Sequence, residues 1–331
     1  NLSNNKVLDG NIKFVKNKLF YLDKNEDVIF FSDLKILNFL YLENFQNQVE
    51  SKLNIFNLPV KLKTKHDIVQ KSINTEINLN TLKFKIEDNL DYNEEILKGE
   101  IELNFINKNQ IVRYTLQDNK LIFRTIDDKF TGNINIKPFF LSSNFNFQNI
   151  RIKKIFEDNS ILINFLKSEI FYNKNLNGKI DVVIDGLNDL SHVDKINFNV
   201  KFEEGFIFIS NLNFVFKNNS IFNFNNVSII VDENELKLIG DIEIKFKNIQ
   251  DFYSHYQIIR NHRKNIKKIT SNFIFTFDDG LFEFDELNIN GIDKKISDRY
   301  LNKFNSEKKD ILNKVILRNT VKDFFKIISS G

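Results

Sequence analysis

A unit of strand, acid-Gly turn and strand occurs twice, and its alternation leaves few choices of backbone. Residues 197–214 read NFNVKFEEGFIFISNLNF, and 75 residues later 272–289 read NFIFTFDDGLFEFDELNI. Glu203-Glu204-Gly205 in the first copy becomes Asp278-Asp279-Gly280 in the second. An acid followed by Gly between alternating apolar runs predicts a two-residue type I′ hairpin, because that turn needs positive φ at both central residues. With Glu204-Gly205 and Asp279-Gly280 at the centres, Phe202 faces Ile207 and Val200 faces Ile209. In the second copy Phe277 then faces Phe282, and Phe275 faces Phe284. Each copy acquires one wholly apolar face. The alternation slips by one residue at Ser210-Asn211 and at Asp285-Glu286, the signature of a β-bulge that bends the sheet.

The rest of the chain repeats this grammar. Ile12 and Phe14 alternate ahead of a Lys-Asn turn, then Leu19 and Tyr21 follow. Between 28 and 62 Leu34, Leu37, Leu40 and Tyr41 also fit a helical period, yet strand is the better reading, with Pro59 at an edge or strand start. Short alternating runs follow at 77–88, 99–106, 110–116, 120–125 and 130–152, with turns of Asn, Asp and Lys between them. After Gly178 come further strands, closing with 235–246, where Gly240 interrupts a row of Leu236, Leu238, Ile242 and Ile244. Three segments change to a helical period: 153–171, 249–269 and an amphipathic stretch near 306–328. The expected fold is mainly β: an elongated, curved antiparallel sheet, an open groove over 1–305 with a weak boundary near 153–177, and a C-terminal helix in 306–331.

Composition narrows the chemistry. The chain has 36 Phe but no Cys, Met or Trp, so it has no disulfide framework and no thiolate metal site. The Asn, Lys, Ile and Phe load matches the codon bias of an AT-rich genome, but codon bias does not set Phe on alternate positions. Net charge is +3 with both signs well mixed, which argues against a nucleic-acid partner. No apolar run approaches the ~18 residues of a membrane-spanning helix. His66, His192, His255 and His262 lack metal-ligand spacing and read as surface residues. The paired acids sit where turn chemistry wants them, and no phosphate loop or nucleophile motif occurs. A non-enzymatic protein without metal or cofactor is expected. The run Arg260, Arg263, Lys264, Lys267 and Lys268 reads either as a solvated helix end or as contacts for anionic lipid head groups or a partner.

The repeated unit, LIGDIEIKFKNIQDFY at 238–253, GNINIKPFF at 132–140 and LRNTVKDFF at 317–325 together resemble the AsmA-like family, large periplasmic proteins of Gram-negative bacteria. The resemblance covers roughly 98–328; residues 1–97 match only in being β-rich, and the family's N-terminal inner-membrane helix is not in this sequence. It implies a β-groove that carries phospholipid between inner and outer membranes and supports outer-membrane assembly. It further implies a periplasmic location, an anchor through an N-terminal segment absent from this chain, and protein partners at either end. On that reading the groove face comprises Phe198, Val200, Phe202, Ile207, Ile209, Phe273, Phe275, Phe277, Phe282 and Phe284, with Gly240 as room for an acyl chain or a plain bend. Val200→Asp or Phe275→Asp should then abolish lipid loading and leave the β-sheet spectrum intact. A scaffold module with a closed sandwich core is the competing expectation. An outer-membrane barrel fits less well, because Lys and Glu fill too many alternate positions and the chain ends in a helix.

Overall fold

A computed structural model of the chain describes residues 6–329 less 23–27, 43–44, 57, 83, 93–95, 106–107, 137–138, 151–162, 164–165, 169, 188–192, 194, 218, 234, 279, 291, 293 and 307–312. As expected, the protein is mainly β: an open antiparallel sheet of nineteen strands, with three α-helices among the described residues. Contacts divide it into two compact units. The first comprises 1–145, 168–179 and 203–205, and the second 146–167, 180–202 and 206–331.

In the first unit, β1 (Lys6–Lys13) and β2 (Leu19–Leu22) do not pair with each other. Both lie along the same edge of β3 (Val28–Leu42), β2 against Val28–Ser32 and β1 against Ile36–Leu42. The gap between them is filled by Asn17, whose amide donates to Leu34 O at 2.6 Å and accepts from Leu34 N at 3.0 Å. A side-chain amide thereby stands in for the missing strand residue, which matters because an unpaired buried backbone group is costly. β4 (Gln46–Ile55) and β5 (Leu58–Asp67) follow in register on β3. The helical spacing of Leu34 and Leu37 has a simple origin: the register shifts between Leu34 and Ile36, and the extra residue returns Leu37 to the face of Leu34. Pro59 is the second residue of β5, at a strand start.

A meander continues through β6 (Ser72–Leu79), β7 (Phe84–Asp91), β8 (Leu97–Phe105), β9 (Lys108–Gln117), β10 (Lys120–Thr125), β11 (Phe130–Ile136) and β12 (Phe139–Ile150). A 3-10 turn at Asn80–Leu82 breaks the single run read at 77–88 into β6 and β7.

The second unit holds most of β13 (Asn177–Leu187) and β14 (Lys195–Glu203), then β15 (Phe206–Phe216), β16 (Ser220–Asp232), β17 (Glu235–Phe246), β18 (Lys268–Thr276) and β19 (Leu281–Ile289). The helices are α1 (Ile249–Tyr256), α2 (Lys294–Ser306) and α3 (Lys314–Ser329). Strands end at Ile289 and 294–306 is already helical, so the β region stops short of the expected 305. The helical stretch read at 153–171 lies largely outside the described residues.

The two copies of the repeated unit close differently. Glu204 and Gly205 both have positive φ, 52° and 85°, as the type I′ expectation requires. In the second copy Thr276 pairs with Leu281 and Phe275 with Phe282, so the loop is four residues long and the register moves by two from that expected. The cause lies in β17: Phe277 N donates to Leu236 O at 2.9 Å and Asp278 Oδ2 accepts from Leu236 N at 3.1 Å, which holds both residues on β17. The slips fall where the sequence places them. The β18–β19 register shifts opposite Asp285-Glu286, and the β15–β16 ladder skips Ser210 and Asn211, with Asn211 at φ 58°.

Removing the Asn17 amide leaves Leu34, 7% exposed, with two unpaired backbone groups. The Asn17→Ala variant is expected to lose about 1–2 kcal/mol of stability, read as a lower urea midpoint at unchanged slope.

Candidate functional site: two apolar sheet faces

The face chosen from the sequence lies in the second unit, where it is largely core. Phe202, Ile207, Phe273, Phe275 and Phe277 are buried, and Phe198, Val200, Ile209, Phe282 and Phe284 are half-buried. Their rings pack on each other: Phe273 stacks on Phe282 at 5.4 Å, and Phe275 meets Phe277 edge-on at 5.1 Å. Phe284 contacts Phe304 of α2 at 5.0 Å. Around Phe216, Ile269 and Ile289, the three helices close the face with Phe252, Tyr253, Tyr300, Phe304, Phe325 and Ile328. Gly240 holds no acyl-sized gap. It lies opposite a register shift in β16, and a Cβ there would sit 3.0 Å from Val227 Cα and Cγ2. Val227, 1% exposed, occupies the space.

The edge of β19 is finished as β3 is. Asn305 of α2 accepts from Phe284 N at 3.1 Å and donates to Phe284 O at 2.6 Å.

The basic run is not helical as expected. α1 ends at Gln257, whose φ of 54° places it in the left-handed C-cap conformation, and a 3-10 turn at Arg260–His262 leads into β18. Its cations have separate surroundings. Lys268 pairs with Glu243, and Arg263 donates to Ile258 O at 3.0 Å with its guanidinium 5.7 Å from the Tyr253 ring. Arg260, Lys264 and Lys267 are exposed. Lys245 and Lys268 oppose each other across β17 and β18, and Glu243 bridges both. Hydrogen bonds from Lys245 first, then Lys268, lower the Glu243 carboxyl to about 2.

A second apolar face lies in the first unit, outside the residues singled out by the hairpin repeat. Cross-strand pairing sets Leu53 opposite Val60, with Leu79 packed against them, and Leu62, Ile77, Ile86 and Leu103 form the row beside them. Further rows are Ile73, Leu90 and Gly99, then Tyr114, Phe123 and Gly132; Leu116, Leu121, Ile134 and Leu141 complete the set. The reverse face carries Lys61, Lys63, Glu76, Lys85, Glu87, Glu100 and Arg113. Among this unit's described residues there is no α-helix, and every ladder joins sequence neighbours apart from β1 on β3. Leu34, Leu53, Val60, Val112 and Tyr114 are nonetheless 7–9% exposed. No second layer covers the face among the described residues, and neighbours on the same sheet contribute to that burial: Leu34, Leu53 and Val60 pack together with Leu37, Leu62 and Ile77. Three glycines serve this face: Gly10, Gly99 and Gly132 lie beneath the rings of Phe39, Tyr114 and Phe123, which a Cβ would overlap. The signal was legible as period-two alternation at 58–66, 72–79 and 97–105.

The described residues contain no group of three or more potential metal ligands and no helix long and apolar enough to cross a membrane. No family model, curated protein or solved structure matches the chain.

Burial alters the outcome expected of Phe275→Asp. At 6% exposure among aromatic rings, an unpaired carboxylate there is expected to unfold the second unit, read as loss of a cooperative thermal transition. For Glu243, a carboxyl depressed in the folded state adds stability that is present above the ordinary carboxyl range and lost as pH falls towards 2. Glu243→Gln is therefore expected to cost about 1 kcal/mol at pH 7 after solvent screening, a deficit that closes in melts run towards pH 2.

Proposed function

We propose that the apolar face of the first unit is a trough for lipid acyl chains, and that the protein works by binding rather than catalysis. The observation that carries this reading is the run of apolar cross-strand rows from β3 to β12 without a covering helix or second sheet among the described residues. Burying one CH₂ is worth about 0.8 kcal/mol, so a ~16-carbon chain crossing water bare costs on the order of 12 kcal/mol. A continuous apolar floor removes most of that cost with no catalytic group.

The resemblance to the AsmA-like family supports placing the trough in phospholipid traffic between inner and outer membranes, in the periplasm. The charge of the second unit's helical end suits an anionic membrane surface. Segments 257–267, 294–306 and 314–329 hold twelve Lys and Arg against two acids, Asp298 and Asp323, and expose Ile259 and Val315 at 66% and 67%. Arg260, Lys264 and Lys267 are the residues assigned to head groups. For the second unit's own apolar face, burial of Phe202, Ile207 and Phe273 favours the competing reading of a closed core.

The test is native mass spectrometry of the gently purified chain with lipid extraction alongside, on wild type and Ile86→Asp. Ile86 is half-buried between Ile77 and Leu103 in the middle of the face. Wild type is expected to carry phospholipid and the variant at least tenfold less, with an unchanged β-sheet spectrum. A stable wild type free of lipid, or a variant that unfolds as a core mutant does, overturns the reading.

A further inference from the structure

The trough floor is not uniformly apolar. Thr64 pairs with Thr75 across β5 and β6, and Thr75 pairs with Asp88 across β6 and β7. The three side chains therefore share one face in one line across the strands, spanning about 10 Å at the usual strand spacing. Apolar rows flank the line on both sides: Leu62, Ile77, Ile86 and Leu103 along one, Ile73 and Leu90 along the other. Beyond Asp88 the line continues as Ile101 and Val112. It is a polar rung set into an apolar floor.

Asp88 is the anomaly within it. Its carboxylate accepts one hydrogen bond, from Tyr114 OH at 2.9 Å, across the bare backbone of Gly99. That bond satisfies one oxygen. Among the described residues the second oxygen and the two Thr hydroxyls have no hydrogen-bond partner. The neighbouring cations Lys61, Lys63 and Lys85 project from the opposite face, where they meet Glu50, Glu76 and Glu87. His66, the one basic side chain on the flanking rows, bonds Tyr92 at 2.6 Å. Burial accordingly raises the Asp88 carboxyl above its ordinary range, and the Tyr114 bond only partly offsets this. A carboxylate on an apolar floor, with acceptor capacity to spare and no cation beside it among the described residues, is complementary to a positively charged hydrogen-bond donor. It repels a carboxylate or a bare phosphate.

We infer that the Thr64–Thr75–Asp88 rung is a recognition site for the protonated amine of an amphiphile whose acyl chain lies along the flanking apolar rows. The inference rests on the trough reading and adds a substrate class to it. Ammonium N–H groups donate to the free oxygen of Asp88 and to the Thr hydroxyls, and the chain covers Leu62, Ile77 and Ile86. A quaternary ammonium of the same length has charge but no N–H to donate, so the rung discriminates between them.

Two probes separate these terms: 1-palmitoyl lysophosphatidylethanolamine and 1-palmitoyl lysophosphatidylcholine, each titrated below its micelle concentration into the full chain. Wild type is expected to bind the primary amine roughly tenfold tighter, the factor a charge-assisted hydrogen bond supplies. Asp88→Asn keeps an acceptor for Tyr114 OH and should bring the two probes within about twofold, the primary amine losing more affinity than the choline probe. Thr75→Val should narrow the gap in part. Equal affinities in wild type, or a preference that survives Asp88→Asn, overturn the rung and leave the trough standing. A folded wild type that binds neither probe overturns both.

Discussion

Backbone groups that lose water must find partners, and among the described residues most find one on the adjacent strand. The cross-strand ladder is the interaction on which the rest depends. It fixes which residues share a face, and so makes a continuous apolar floor out of strands that are individually only half apolar. Where a ladder runs short, an asparagine amide completes it, as Asn17 does on Leu34 and Asn305 on Phe284. Where a strand carries one residue too many, the bulge bends it without breaking the face, as at Lys35 beside Leu34.

The two units use the same ladder to different ends. In the second, three helices pack on the apolar side around Phe216, Ile269 and Ile289, and Phe273 and Phe275 lie buried among the rings of Phe224, Phe277 and Phe282. In the first, the apolar side chains shield one another and none of the described elements lies over them as a second layer. An apolar face of this kind is a liability unless something occupies it, which is the physical reason to look for a ligand there and not at the Phe-rich hairpins.

Much of the fold was legible because period-two alternation has few other meanings. Strand 235–246 fell where the sequence placed it, and the slips at Ser210-Asn211 and Asp285-Glu286 marked real irregularities. What failed had tertiary causes. The turn after Phe277 lengthened because Leu236 claims both Phe277 and Asp278, a partnership no local pattern encodes. The basic stretch after α1 left the helix because Gln257 takes a left-handed conformation and Ile266 is drawn into the core. The site was the least legible part. Alternation marks an apolar face equally whether helices cover it or not, so the hairpins with most Phe drew attention while Leu62, Ile77 and Ile86 did not.

The ladder pattern also bears on how such a protein comes to be made. Apart from β1, which pairs with β3, each ladder among the described strands joins a strand to one next to it in the chain. Most loops to be closed are short, the connections after β12 and β17 excepted, so most hairpins can form as they emerge and add to the strand before them. Cooperativity then passes from neighbour to neighbour, as in repeat proteins. A chain built in this way can gain or lose a hairpin over evolutionary time and still present the same face, and its length is set by how many strands are strung together.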